Sequence, residues 1–425
     1  MTDDKFYKRL PLYRILTVAA ITITVIICCI QQITRRDGDP ELFVFMARLL
    51  LNGQDIYTIP SPHGNFYYYP PFFACLNIPL IILPRIVLIF LWAIASVGLL
   101  GWSMAAFYSG MTSQPFFSLP VKTRWVVCFF ATLLTARFII LHFRFGQTNI
   151  FVLALTVLGL VWLTRNKQVR TGIAIAFSIV IKLITLPFGF WFLARRSSGK
   201  VLLGMILGGL IGIMLPALVV GLKQNVNYHQ DWVEKVVLNN APGSGNWTSN
   251  GNISLRAQAD RFFLNVNAFE SKGKNYRVTI VELPVPIVRV IGQLIMLGVA
   301  LVIGLYAVRF KDAPELISNW GGFALVFSLI PNFSPVSEIP HLVLLIPAYI
   351  YVVHLWYVEQ FTDRMFRLLV IFSFVFTTLT TKTFCGEFLS RLLASLAVIN
   401  LGILLLSIAI FRATFCINKK VGVVK

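Results

Sequence analysis

Charge is what this sequence has least of. Only 13% of its 425 residues are charged, against 57% hydrophobic, and the mean hydropathy is +0.78. A soluble chain carries about twice that share of charge. A globule of this length could not cover its core with so few charges, whereas a chain in lipid needs polar residues only at its two rims. Soluble enzyme, secreted domain and disordered scaffold are thereby excluded. Acids are scarcest: 17 Asp and Glu face 37 Lys and Arg, a net charge of +20. In a soluble protein that excess would suggest nucleic acid. Here the basic residues sit mainly between apolar runs, as the positive-inside rule requires, so membrane lipids and not nucleic acid are the expected partners. A phosphate-binding surface on the opposite side is the other source of such an excess. Cysteine is also sparse, and Cys28, Cys29, Cys75, Cys128, Cys385 and Cys416 lie in or beside apolar stretches without metal-ligand spacing. Neither metal nor cofactor is expected. There is no convincing internal repeat and no low-complexity tract.

What is present is a series of apolar runs of about 20 residues, the length a bilayer core requires. They lie near 11–31, 85–108, 121–141, 147–164, 199–221, 284–309, 341–358, 365–383 and 391–412, with a shorter one at 317–330. The expected fold is all-α: a polytopic transmembrane helical bundle of about ten spans forming a single integral membrane domain over residues 1–425. The first run follows Lys5, Lys8, Arg9 and Arg14 with no small-residue cleavage site after it, and reads as an uncleaved first helix. Placing Lys122/Arg124, Arg165/Lys167/Arg170, Arg195/Arg196/Lys200, Arg309/Lys311, Arg364/Arg367 and Lys419/Lys420 inside puts both termini in the cytoplasm. The sizeable polar segments, 32–70, 142–149, 222–283 and 331–341, then face outward, together with a short turn around Glu387.

Two stretches break the count. Residues 171–194 carry basic clusters at both ends and are interrupted by Lys182 and Pro187, which reads as two half-helices that turn near Lys182; a kinked single span is the alternative. Residues 71–84 begin at Pro70-Pro71 and hold Pro79 and Pro84, which suits a partial dip or a surface helix. Segment 40–52 has an apolar face at helical spacing and reads as an amphipathic helix on the outer leaflet.

Polar residues with chemistry collect on the outer side. The first loop holds Asp37, Asp39 and Glu41 directly after a membrane helix. A carboxylate at a water-lipid boundary can keep a raised pKa and serve as general base, though a solvated turn has the same pattern. The loop continues through Asp55-Ile56-Tyr57 to Tyr67-Tyr68-Tyr69-Pro70, tyrosines that suit either a sugar site or an interfacial aromatic belt. Arg137, His142, Arg144, Gln147 and Asn149 follow at a helix end. Arg137 lies about 7.5 Å below His142 at the helical rise, close enough to snorkel to the same surface. Such donors match phosphate oxygens, while a snorkelling pair without ligand is the plainer reading. Lys182, an ionisable residue inside an apolar segment, is a site candidate by default. The long loop holds Asn252, Ser254 and Arg261, and Asn246-Trp247-Thr248 and Asn252-Ile253-Ser254 fit the glycosylation sequon. Glu338 and His341 stand in the proline-rich stretch after 331.

A carboxylate, hydroxyl-rich walls and several cations on one outer face suit transfer from a lipid-phosphate donor, because no soluble nucleotide is available there. The order of motifs then becomes specific. Asp39, Gly53, Asp55-Ile56-Tyr57, Tyr69-Pro70-Pro71, Gly146-Gln147-Thr148-Asn149, the Lys182–Pro187 segment, Asn252-Ile253-Ser254-Leu255 with Arg261, and Ser334-Pro335-Val336-Ser337 together resemble glycosyltransferase family 87 of the GT-C superfamily. The resemblance runs from about residue 37 to 341 and its specificity lies in the series. It implies a GT-C-type membrane enzyme of a bacterial inner membrane, using a polyprenyl-phosphate sugar, often mannose. The transfer, with inversion, is to a lipid or cell-envelope glycan acceptor outside. It implies that Asp39 is the base. Arg137, His142, Arg144 and Lys182 are then expected on the donor phosphate. Asp37, Tyr57, Tyr69, Gln147, Asn149, Asn252, Ser254, Arg261, Glu338 and His341 are expected at the sugar and acceptor, with Asp37 also a competing base. The chain departs from the family after Ser-Pro-x-Ser, where an aromatic residue and a histidine pair are replaced by Glu338 and Pro340-His341, which leaves sugar and acceptor open. A transporter or flippase of lipid-linked saccharides is the alternative function, though one expects repeated halves there.

Overall fold

Apolar runs in lipid leave the backbone no partner but itself, and a helix satisfies each N–H and C=O within the segment. A computed structural model describes residues 3–35, 38–195, 198–238 and 251–423, and these are mostly helical. The first half of the chain folds as α1 (Asp3–Arg35), α2 (Asp39–Leu51), α3 (Pro71–Leu76), α4 (Arg85–Thr112), α5 (Val121–Leu134), α6 (Ala136–Phe145), α7 (Asn149–Thr164), α8 (Gln168–Ile181) and α9 (Pro187–Ala194). There follow α10 (Gly199–Met214), α11 (Ala217–Val220), α12 (Leu222–Trp232), α13 (Leu255–Phe263), α14 (Val285–Arg309), α15 (Gly322–Phe333), α16 (Ile346–Tyr357), α17 (Arg364–Thr378), α18 (Lys382–Ser395) and α19 (Val398–Val423). One antiparallel hairpin, β1 (Phe269–Ser271) and β2 (Lys274–Tyr276), lies in the long loop and stacks Phe269 and Tyr276 beside Phe388 of α18.

Among the described residues seven helices are long and apolar enough to cross a membrane, or nine if each of two bent pairs is one span. This is an integral, multi-pass membrane architecture, with fewer straight spans than the ten expected, for identifiable reasons. The run at 147–164 forms only the 16 residues of α7, about 24 Å of helix. The run at 121–141 is broken at Thr135, where α5 and α6 meet at 66°. The Thr135 hydroxyl donates to the Ala131 carbonyl at 2.7 Å, a back-bond that bends helices. The run at 365–383 forms α17 and turns through 83° into α18, so the last span begins at Val398 and not near 391.

Burial sorts the helices into layers. The segments Leu316–Phe333 and Ile339–Tyr357 have 89% of their apolar windows enclosed, against 22% for Gly199–Val220 and 28% for Val285–Arg309. The first two form the centre of the bundle, and the latter two present Leu210, Leu294, Leu301 and Leu305 outward, as lipid contact requires. The expected surface helix at 40–52 is corrected here: α2 buries Leu42, Phe43, Val44, Met46, Ala47, Leu49 and Leu50. With apolar residues on nearly every side, it gains more by packing on α3 and α4 than by floating at an interface.

Candidate active site

The site begins with the way the chain leaves α1. Gln32, buried near the end of α1, donates to the Phe143 carbonyl in α6. Arg85, at the start of α4, donates to the carbonyls of Gln32 and Ile33 at 3.1 and 2.9 Å and pairs with Glu41 in the first turn of α2. These bonds fix the entry of α2, and Asp39 is its first residue. A carboxylate there lies at the positive end of the helix dipole. Gly146 ends α6 with φ +65, and a Cβ there would lie 2.5 Å from Cδ of Pro40. Only glycine lets the end of α6 close on the start of α2, bringing His142 to Asn149 beside Asp39.

Lys182 enters from the other side. It adopts an extended conformation (φ −153, ψ 118) between the end of α8 and a short 3-10 turn at Leu183–Thr185, ahead of α9 and its initial Pro187. The helix therefore breaks at the residue where the sequence places the interruption. Its Nζ donates to Asn149 Oδ1 at 3.0 Å and to Gln147 Oε1 at 3.4 Å, and lies 2.7 Å from Nε2 of His341. Asn149 Nδ2 donates to the Pro340 carbonyl at 3.2 Å, which orients its oxygen toward the lysine. Nζ also sits 5.3 Å from the centre of the Tyr69 ring.

The carboxylates complete the cluster. Asp39 and Glu338 both act electrostatically on Lys182 and on Tyr69. Burial pushes the Tyr69 phenol well above its ordinary pKa, the Asp39 and Glu338 charges push it further, and the Thr148 hydroxyl, donating at 3.3 Å, opposes them. Burial likewise raises the Glu338 carboxyl, an effect that only the protonated form of Lys182 opposes. Glu338 caps the turn that follows: its side chain accepts from the His341 N–H, and the His341 ring accepts from the Glu338 N–H. His142 is fully enclosed, with neither ring nitrogen hydrogen-bonded among the described residues. A buried ring with two idle nitrogens carries a desolvation cost that a ligand or water would relieve.

Of the residues expected from sequence, Asp39, Tyr69, His142, Gln147, Asn149, Lys182, Glu338 and His341 thus converge. Arg144 lies on the same turn as His142, its guanidinium 5.4 Å from the Phe145 ring and its Nε without a hydrogen-bond partner among the described residues. Arg137 is placed differently: it donates to the Thr377 carbonyl and the Thr380 hydroxyl at 2.8 and 3.1 Å. The bend at Thr135 turns it toward the end of α17, where it ties two helices together. Tyr57 is buried under the site, its hydroxyl donating to the Tyr69 carbonyl at 3.2 Å, and Tyr57, Tyr67 and Tyr69 stack in a row 5.6–6.0 Å apart. They form an inner wall and not a membrane-interface belt.

Asn252, Ser254 and Arg261 form a separate buried knot. Asn252 Oδ1 accepts from the N–H groups of Ser254 and Ser337, both at 3.0 Å, and Ser254 donates to the Pro335 carbonyl at 2.9 Å while capping α13. Arg261 donates to the Asn252 carbonyl. Burial lowers the Arg261 pKa to about 10, with Asp260 opposing. The knot clamps the long loop onto Ser334–Ser337 and so sets Glu338 in place, and it encloses the Asn252 amide within the second sequon. Asp37 and Asn246 lie outside the described residues. Sequence reasoning missed Gln32, Arg85 and Thr148; only Thr148, inside the Gly-Gln-Thr-Asn motif, carried a signal.

Comparison with known proteins gives one family. The model of glycosyltransferase family 87 matches residues 67–330, more than half of the chain. The matched stretch contains Tyr69, His142, Gln147, Asn149, Lys182 and Arg261, and leaves Asp39, Glu338 and His341 on its flanks. No curated protein and no solved structure matches.

Proposed function

The chain belongs to glycosyltransferase family 87 and is a glycosyltransferase; from that premise we propose that it moves one sugar from a polyprenyl-phosphate carrier to a lipid-linked or cell-envelope glycan, with inversion. The observation that carries this reading is the convergence of two carboxylates, Asp39 and Glu338, with Lys182, His142 and His341 at one end of a membrane bundle. Inversion needs a base on one face of the sugar and a stabilised leaving group on the other. Asp39 is the base that takes the acceptor's proton, and Lys182, His142 and Arg144 receive the phosphate, with Tyr69, Gln147 and Asn149 around the sugar.

Arg137 supports this end from its tether on α17. The sugar is mannose in many enzymes of this resemblance, and the Asn252 knot holds the Glu338 side of the site. Lys122 stands at the start of α5, which continues into the α6 end carrying His142, and Arg165 follows the end of α7 opposite Asn149; basic residues at the helix ends away from the site support a site on the outer face of a bacterial inner membrane, with both termini inside. The test is incubation of purified enzyme with a polyprenyl-phosphate sugar and analysis of lipid products by mass spectrometry. Transfer is expected from the unmodified enzyme, and Asp39→Asn should lower it at least about 100-fold with donor binding retained. Full activity in Asp39→Asn would reject the assignment of the base; movement of unmodified donor across a vesicle without product would favour a flippase.

A further inference from the structure

The hydrogen bonds around Lys182 count protons. The backbone N–H of Glu338 donates to Nδ1 of His341 at 3.1 Å, and a peptide N–H can only donate. Nδ1 is therefore unprotonated, and a neutral ring carries its hydrogen on Nε2. That Nε2 faces Lys182 Nζ at 2.7 Å. An ammonium has three donors and no lone pair, so N–H would point at N–H. A neutral amine fits instead: its lone pair accepts from Nε2–H, and its two hydrogens go to Asn149 Oδ1 and Gln147 Oε1. The orientation of the Asn149 amide is fixed independently by its bond to the Pro340 carbonyl. The groups facing the amine are Asp39 from α2, Tyr69 from the first loop, His142 from α6, and Glu338 and His341 ahead of α16.

Resting on the transfer reading above, we infer that Lys182 is an uncharged amine in the resting enzyme and is the terminal acceptor of the proton released in sugar transfer. The donor phosphodiester has one negative charge. The acceptor oxygen bonds to the anomeric carbon, the bond from that carbon to the phosphate oxygen breaks, and the electron pair leaves with a phosphate monoester of charge −2. The acceptor's proton passes to Asp39 and then to the lone pair of Lys182. Ammonium and phosphate dianion thus form together, and charge is conserved in the site. The His341 Nε2–H, released from the lysine, becomes a donor for the phosphate. The bond of the His341 ring to the Glu338 N–H thus also sets the tautomer that keeps the resting lysine neutral.

The test has two arms. Protein carrying 15Nζ-labelled lysine in micelles at pH 7 should show one amine resonance apart from the ammonium signals, lost in Lys182→Met; Lys182→Arg removes the same signal should the Met variant not fold. Lysines that are all ammonium would overturn the proposal. In the second arm, Lys182→Arg keeps a permanent cation yet cannot take a proton. Its turnover should fall at least about 100-fold, with donor KM within about threefold. Turnover within tenfold of the unmodified enzyme would make Lys182 a fixed phosphate cation and overturn the proton step. Absence of transfer by the unmodified enzyme would reject the donor assignment, and the resonance arm still decides the charge of Lys182.

Discussion

Gly146→Ala tests whether the closure of α6 on α2 builds the site. The backbone at this position has φ +65, which costs an L-residue about 1–2 kcal/mol. The new Cβ would lie 2.5 Å from Pro40 Cδ, 2.8 Å from its Cγ and 2.9 Å from Gln32 Oε1. Carbon atoms rest about 3.5 Å apart or more, so the Pro40 ring must retreat by about 1 Å. Overpacking of that size costs about 1–3 kcal/mol, for a total loss of about 2–5 kcal/mol. The Pro40 nitrogen is bonded to the carbonyl of Asp39, so the proposed base moves with the ring, and a displacement of about 1 Å costs about 100-fold in rate. Gly53→Ala is the matched control. Its φ is +66, yet nothing lies within 4 Å of the added methyl. It should lose the conformational term alone and keep transfer within about twofold. Both variants would be compared with the unmodified enzyme by denaturant unfolding in micelles and by initial transfer rates. If Gly146→Ala and Gly53→Ala behave alike in both assays, the close approach of Pro40 and Gly146 does not position the site.

Two further outcomes concern the frame of the site. Asp55 is pushed up by burial but pulled down more by Lys235, Thr58 and the N–H groups of Tyr57 and Thr58, to about 2; its unfolded value is about 3.9. A lowered folded pKa stabilises the protein above about pH 4 and loses that contribution as the pH falls toward 2. Asp55→Asn should therefore melt below the unmodified enzyme at pH 6, with the gap closing near pH 2, and a gap independent of pH would refute the linkage. Asn252→Ala strands the buried N–H groups of Ser254 and Ser337 and should cost about 2–4 kcal/mol in unfolding experiments; a KM effect without loss of stability would instead make Asn252 a substrate contact.

Composition and charge placement determined a good deal without coordinates. An apolar chain with few acids lies in lipid, which offers the backbone no partner, and continuous apolar runs of about 20 residues select helices over the shorter alternating strands of a barrel. Lys182 ahead of Pro187 marked a helix break, since proline cannot continue the preceding turn, and Gly-Gln-Thr-Asn marked a helix junction. Other features were invisible because they depend on residues remote in sequence. The α5–α6 bend comes from a threonine back-bond, and it carries Arg137 to Thr377, 240 residues away. The apolar face at helical spacing in 40–52 described a surface helix, yet partners in the folded chain decide burial, and those partners are α3 and α4.

The site divides in the same way. Residue type alone marked Asp39, Lys182, Glu338 and His341 as able to carry charge, because ionisable groups beside apolar runs are costly without a purpose. Only the folded chain brings Lys182 within 2.7 Å of His341, across 159 positions, and only the backbone N–H of Glu338 selects the tautomer of that ring. Side-chain chemistry is local and can be read from letters; protonation is set by the partners a group meets, and tertiary structure alone supplies them.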